Sequence, residues 1–212
     1  DALAAALRAF DTDDEASVAV IWGAGGSFCA GADLKAIASG ARRERYKADA
    51  DGPMGPTRLA LSKPLIAAVT GYCVGGAYVL VQFCDIAVAD ETADFFYPEA
   101  QVGFCGGLIA GCAARLPYKI ALEFMLSGKH FDAQRAYEVG MVNKVMPKGK
   151  HIEGAMEYAE IFRDSAPLVM STLKRFIRNE VMPRGPSEQA ALARRDLLAI
   201  SRSEDQQEGG RA

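Results

Sequence analysis

The sequence predicts an α/β fold, with a core over residues 1–145 and a helical region over residues 146–212 that continues the same domain unit. Three observations predict it. Short, almost unbroken apolar runs at residues 17–22, 64–70 and 86–89 have the length and β-branched content of buried strands. Helical patterns stand between and after these runs, which is how parallel strands with outer helices read in sequence. Beyond Gly106 the pattern is almost wholly helical, and no linker or shift in composition separates the two parts.

Taken in order, residues 1–10 read as a helix with Leu3, Leu7 and Phe10 on one face, so the chain opens inside a structural element and further material is expected upstream. Residues 17–22 form the first strand, ending at the glycine cluster Gly23, Gly25 and Gly26. Residues 33–39 read as helix, and residues 42–47 as a charged, solvated face. Asp51-Gly-Pro-Met-Gly-Pro56 is a turn-rich break leading into a helix that ends near Ser62. The strand at 64–70 precedes a second glycine cluster, a helix at 75–83 and a short strand at 86–89. Helices are expected at 109–115, 120–126, 133–139, 152–165, 168–182 and 187–201, before an acidic tail that reads as frayed.

With 212 residues, half of them hydrophobic, and a formal net charge of −3, the chain has enough material for one well-formed core. It has no global basic field that would draw nucleic acid. Its five cysteines, Cys29, Cys73, Cys84, Cys105 and Cys112, include no C-x-x-C pair and read as small buried hydrophobes in a reducing compartment. No run has the length and apolarity of a membrane span, and the first residues lack a signal-peptide pattern, so a cytoplasmic placement is expected. His130 and His151 are far apart and in polar surroundings, which argues against a metal site and against a histidine-based triad.

The chemistry sits at the glycine turns. Gly23-Ala-Gly25-Gly26-Ser27 fails the dinucleotide fingerprint because Phe28 stands at its third glycine, and no Gly-Lys-Ser/Thr phosphate loop occurs. Two other turns, Gly31-Ala32-Asp33-Leu34 and Gly71-Tyr-Cys-Val-Gly75-Gly76-Ala77, each follow an apolar run. Small residues after a strand leave backbone N–H groups open to a ligand. Two such turns on neighbouring strands can aim two donors at one oxygen, forming an oxyanion hole.

Ser27-Phe-Cys-Ala-Gly-Ala-Asp-Leu-Lys35 and Lys63-Pro-Leu-Ile-Ala-Ala-Val-Thr-Gly-Tyr-Cys-Val-Gly-Gly-Ala77, with Cys84-Asp85-Ile86-Ala87, resemble the first two active-site segments of the crotonase family of enoyl-CoA hydratases and isomerases. Ala93-Asp-Phe-Phe-Tyr-Pro-Glu99 with Gly103, Gly106 and Gly107, and the later Ala133, Ala136, Gly140 and Asn143, are similar to its remaining pattern. The resemblance implies a spiral of repeated β-β-α turns and a C-terminal helical region at a subunit interface. It implies a homotrimer or a hexamer, and an acyl-CoA substrate whose coenzyme A replaces any separate cofactor. Ala32 and Gly76 would supply the oxyanion-hole donors. Ala30, Ala32, Asp33, Leu34, Gly76 and Gly107 would lie against the substrate. Relative to the family, the N-terminal strands and the last basic segment are missing, and both normally touch coenzyme A.

Hydratases of the family hold water with two glutamates. The second falls at Glu99, whose neighbours Phe95, Phe96, Tyr97 and Val102 should raise a carboxyl pKa toward the working pH. The first falls at Val79, which neither accepts a proton nor orients water. Glu99 alone can still move a proton between two carbons, so the residues favour double-bond isomerisation over hydration. Tyr78 and Tyr97 are the next candidates for a base, and Asp85 matches a position that is normally structural. The alternatives are an enoyl-CoA hydratase that works despite Val79, an RNA-binding homologue using the basic clusters at 42–47 and at Lys174, Arg175 and Arg178, and a non-catalytic crotonase fold.

Overall fold

All five residues of strand β2 (Leu65–Val69) are buried, and that apolar run sets the architecture. In the computed structural model, which describes residues 2–31, 33, 51–52, 54–103 and 108–182, β2 is an inner strand of a four-stranded parallel sheet. Its neighbours are β1 (Ala19–Trp22), in register Ala19 to Leu65, and β4 (Ile86–Asp90), in register Ile66 to Ile86. β7 (Lys144–Met146) closes the sheet beside β4, giving the order β1-β2-β4-β7. A second sheet has the order β3-β5-β6, with β3 (Tyr72–Val74) parallel to β5 (Asp94–Phe96) and β6 (Phe131–Asp132) antiparallel to β5. The chain thus lays one strand in the first sheet, the next in the second, and then turns into a helix. β2, β3 and helix α2 (Ala77–Phe83) make one such turn, which is the expected β-β-α spiral.

Helix α5 (His151–Arg163) covers one face of the parallel sheet, packing Ala155 and Ala159 against Ile66, Ala68 and Val88. A Cβ at Gly154 would lie 2.6 Å from Met146 and 3.0 Å from Val88, so glycine there is what lets the helix settle onto the strands. The opposite face enters the main core with Phe95, Tyr78, Phe124 and Phe131. Helix α1 (Ala2–Thr12) turns Ala4 and Leu7 inward, with Leu7 against Leu61 and Leu65, as the predicted apolar face requires. Helices α3 (Tyr118–Ser127), α4 (Ala133–Glu138) and α6 (Pro167–Phe176) match the helical stretches read from sequence; α6 ends at Phe176 and continues as a π-type turn over Ile177–Val181.

Several expectations need correction. The turn-rich break forms, with positive φ at Gly52, Met54 and Gly55, but the helix expected to end near Ser62 does not: the turns run on to residue 58, and residues 59–61 have no regular structure. The short strands β3, β5, β6 and β7 carry no strand signal in the sequence, because two or three residues show no periodicity. The segment 109–115 winds as a 3-10 helix, Leu108–Ala114. The helices expected at 33–39 and 187–201 and the charged run at 42–47 lie outside the described residues, apart from Asp33.

Cys73 and Cys112 are buried as expected, while Cys29 and Cys84 are only half-buried; Cys105 lies outside the described residues. Burial pushes the Cys112 thiol up to about 12, against a smaller opposing effect of Arg115, so it is inert. His151 is buried, with Nδ1 3.2 Å from the Asp90 carboxylate. Asp90 ends β4 and is fully buried, yet it accepts bonds from Thr70 Oγ1 at 2.7 Å, Thr92 Oγ1 at 2.6 Å and the Gly149 N–H at 2.8 Å, joining the sheet to the start of α5.

Candidate active site

The two glycine turns meet because their strands lie side by side. Phe28 is buried and gives its N–H to Thr70 O at 2.8 Å; Cys29 gives its N–H to Tyr72 O and accepts from Val74 N–H, each at 3.0 Å. Cys29 therefore pairs with Cys73 in a parallel bridge, and Gly31 arrives beside the end of β3. A Cβ on Gly31, whose φ is +87°, would stand 2.8 Å from Val74 O and 4.0 Å from Gly76 N. The Gly31 N–H is held by Cys29 Sγ at 3.4 Å. The neighbouring residue Ala32, the expected first donor, lies outside the described residues, as do Leu34 and Gly107. Ala30 is exposed at the same turn, with Asp33 three residues on.

Gly75 gives its N–H to Phe96 O at 2.9 Å and takes a φ of +57°; Gly76 then returns to helical dihedrals and caps α2. No carbonyl or side chain among the described residues accepts the Gly76 N–H. The N-terminal end of α2 adds positive potential at this donor.

The parallel pairing of β3 with β5 ends in register at Val74 and Phe96, so the residues after each strand emerge together. After Phe96 comes a single 3-10 turn, Pro98–Ala100, started by the proline, with Glu99 in it. Glu99 is half-buried and folds back over Gly75: a Cβ on Gly75 would stand 2.4 Å from Glu99 Oε1 and 3.2 Å from its carboxyl carbon. One carboxylate, one helix-capping N–H and the Gly31 turn are thus brought to one place.

The surroundings of Glu99 are narrower than the sequence implied. Phe95 and Tyr97 are buried, but Phe96 stacks on His130 at 4.0 Å on the outer face of the second sheet, and Val102 is exposed. Tyr78 packs edge-on against Phe95 and Phe124, and burial together with the nearby Cys112 and Cys73 thiols raises its phenol well above the usual range, so it reads as core rather than base. Val79 is fully buried on α2, one turn beyond Gly76. Asp85 is structural, as expected: it accepts the Leu65 N–H at 2.8 Å and Lys174 Nζ at 2.6 Å. Sequence reasoning missed the approach of Gly75 to Glu99, whose only signal was the doubling of the glycine. It also missed Gln82, whose signal was an amide inside an otherwise apolar helix. Among the described residues no group of three His, Cys, Asp or Glu side chains is placed to hold a metal ion.

The fold is a β-β-α spiral that sets the start of α2, at Gly75 and Gly76, beside the carboxylate of Glu99. A sequence model of the family described as enoyl-CoA hydratase/isomerase matches residues 1–212, and the chain belongs to that family, the crotonases, whose enzymes act on coenzyme A thioesters. It is 34% identical over 212 residues to enoyl-CoA hydratase EchA19 of Mycobacterium tuberculosis, covering 95% of this chain and 78% of that relative. It is 39% identical over 175 residues to a carnitinyl-CoA dehydratase of Proteus mirabilis, covering 80% of this chain and 66% of that relative's length, just under two thirds. The solved structure of EchA1_1 from Mycobacterium paratuberculosis superposes with a TM-score of 0.88 at 35% identity, over 99% of this chain and 83% of that one.

Proposed function

We propose that this chain binds an acyl-CoA thioester, polarises its carbonyl with the N–H groups of Ala32 and Gly76, and moves a proton between two substrate carbons with Glu99 alone. The observation that carries the reading is the Glu99 carboxylate lying over Gly75, beside the Gly76 N–H, with Val79 where a second carboxylate would be needed to hold water. Removing a proton from the carbon next to a thioester places negative charge on the carbonyl oxygen. Each preorganised donor aimed at that oxygen contributes about 3–4 kcal/mol. For a 3-enoyl-CoA, Glu99 takes the C2 proton, the C2–C3 double bond forms as the C3–C4 double bond opens, and Glu99 returns the proton to C4. Ala30, Asp33, Leu34 and Gly107 are proposed to line the substrate, and no cofactor takes part in this step.

A second reading, hydration of a 2-enoyl-CoA, is favoured by the names of the relatives, which are hydratase and dehydratase. It requires another group to take the water-holding role that Val79 cannot. An RNA-binding role is disfavoured, because Lys174 is engaged by Asp85 and by Lys63 O, and Arg178 by Leu59 O. The 146–212 region is proposed to join copies into a trimer or hexamer, since α6 leaves Leu168, Val169, Leu173 and Phe176 exposed. Among the described residues no helix is long and apolar enough to cross a membrane, and a cytoplasmic placement is part of the proposal.

The purified protein should be given 2-enoyl-, 3-enoyl- and substituted acyl-CoAs with products resolved by chromatography. Conversion of 3-enoyl- to 2-enoyl-CoA should exceed 3-hydroxyacyl-CoA formation; the reverse ratio selects the hydratase reading, and inert binding a non-catalytic one.

A further inference from the structure

Gln82 breaks the apolar run of helix α2, Ala-Tyr-Val-Leu-Val-Gln-Phe. Its side-chain oxygen and nitrogen are both buried, and neither has a hydrogen-bond partner among the described residues. Buried amides are ordinarily paired, so an orphaned one needs an explanation, and an absent ligand group is one.

Its place on the helix says where such a group would come from. At 100° per residue, Gln82 lies between Tyr78 and Val79 around the axis. Tyr78 on one side enters the ring cluster of Phe95 and Phe124, and Phe83 on the other packs with Leu7, Leu61 and Leu65. Val79 and Gln82 share the wedge between these two packings. Gln82 stands six positions after Gly76, about 9 Å along the axis. Helical side chains lean back over the preceding turn, so the amide of a long glutamine comes to within roughly 4–5 Å, measured along the axis, of the end where Gly76 and Glu99 lie. That span is a few carbon–carbon bonds.

We infer that Gln82 is a specificity-determining residue whose amide receives a hydroxyl group carried by the acyl chain a few bonds beyond the thioester, so that the preferred substrates are hydroxylated acyl-CoAs. A hydroxyl both donates and accepts, and so satisfies the amide oxygen and nitrogen together. A carboxylate would leave the oxygen without a donor. The inference rests on the acyl-CoA reading above but not on the direction of the chemistry.

Equilibrium binding tests it without turnover. Hexanoyl-CoA, 4-hydroxyhexanoyl-CoA and 5-hydroxyhexanoyl-CoA are titrated calorimetrically into the wild type and into Gln82→Leu and Gln82→Met, with melting temperatures recorded for each. In the wild type one of the hydroxylated ligands should bind roughly tenfold tighter than hexanoyl-CoA, the worth of a well-made hydrogen bond. In both variants that preference should vanish while hexanoyl-CoA affinity is kept or improved, and loss of the orphaned amide should raise the melting temperature, so folding is not the obstacle. A wild type without the preference, or a variant that keeps it, overturns the inference and leaves the acyl-CoA reading intact. A wild type that binds none of the three ligands overturns both.

Discussion

Gly75→Ala separates stability from catalysis at this site. A Cβ at Gly75 would stand 2.4 Å from Glu99 Oε1, where ordinary contact begins at 3.4 Å, so the carboxylate has to retreat by about 1 Å. The atom it meets is the far end of a flexible side chain rather than backbone, so moving Glu99 relieves the contact. What remains as a cost to the fold is alanine at a φ of +57°, roughly 1–2 kcal/mol, or a fall in melting temperature of about 2–8 °C for a domain of this size. A displacement of about 1 Å in a catalytic group costs on the order of 100-fold in rate. Gly140→Ala is the control: its φ is +79° with open space around the Cβ, so it bears the backbone strain and leaves Glu99 alone. Circular-dichroism melts and initial rates of double-bond movement in a 3-enoyl-CoA should show both variants destabilised alike and only Gly75→Ala slowed. If Gly75→Ala works within about threefold of Gly140→Ala, Glu99 is not positioned for proton transfer as described here.

Glu99→Gln keeps the shape and removes the base, so turnover should fall by roughly two to four orders of magnitude while acyl-CoA affinity, read by calorimetry, changes little. Gly76→Pro removes the proposed donor and should abolish turnover; a variant shown folded by circular dichroism and still fully active would remove Gly76 from the oxyanion hole. Burial pushes the Asp90 carboxyl up, but bonds from Thr92, the Gly149 N–H and Thr70 outweigh it and hold the carboxyl below its ordinary value. Its contribution to stability is therefore complete above the unfolded-state value, about pH 4, and is lost as pH falls through the lower folded-state value. Melting temperatures from pH 7 to about pH 2.5 should drop across that window, and Asp90→Asn should be less stable at pH 7 with a flatter acid limb; a parallel profile would show that other carboxylates set the limb.

The parts of this fold legible in the sequence are those in which burial writes a pattern. β2 was legible because a strand buried on both faces is continuously apolar, and α1 because Leu3, Leu7 and Phe10 repeat with the helical period. β3 and β5 were illegible as strands for the opposite reason: at three residues each, they are defined by their partners, Tyr72 with Asp94 and Val74 with Phe96. The site divides in the same way. Gly76 and Glu99 could be named from local motifs, but their meeting is a matter of strand register, which places two segments more than twenty residues apart at one level. The aromatic surroundings expected for Glu99 are only partly realised, because alternation along β5 sends Phe95 inward and Phe96 outward to His130. Burial of His151 against Asp90 left no local trace, since it depends on α5 crossing the end of β4.

One carboxylate, with Val79 in place of a second, is proposed to move protons rather than add water. This is tested most directly by giving the wild-type protein a 3-enoyl-CoA and a 2-enoyl-CoA in water enriched in heavy oxygen, and following double-bond position and oxygen incorporation separately by mass spectrometry. Single-carboxylate proton transfer requires double-bond movement to outrun oxygen incorporation, and Val79→Glu to raise incorporation into crotonyl-CoA. Rapid incorporation of solvent oxygen by the wild type contradicts it, and would mean that another group holds the water that Val79 cannot.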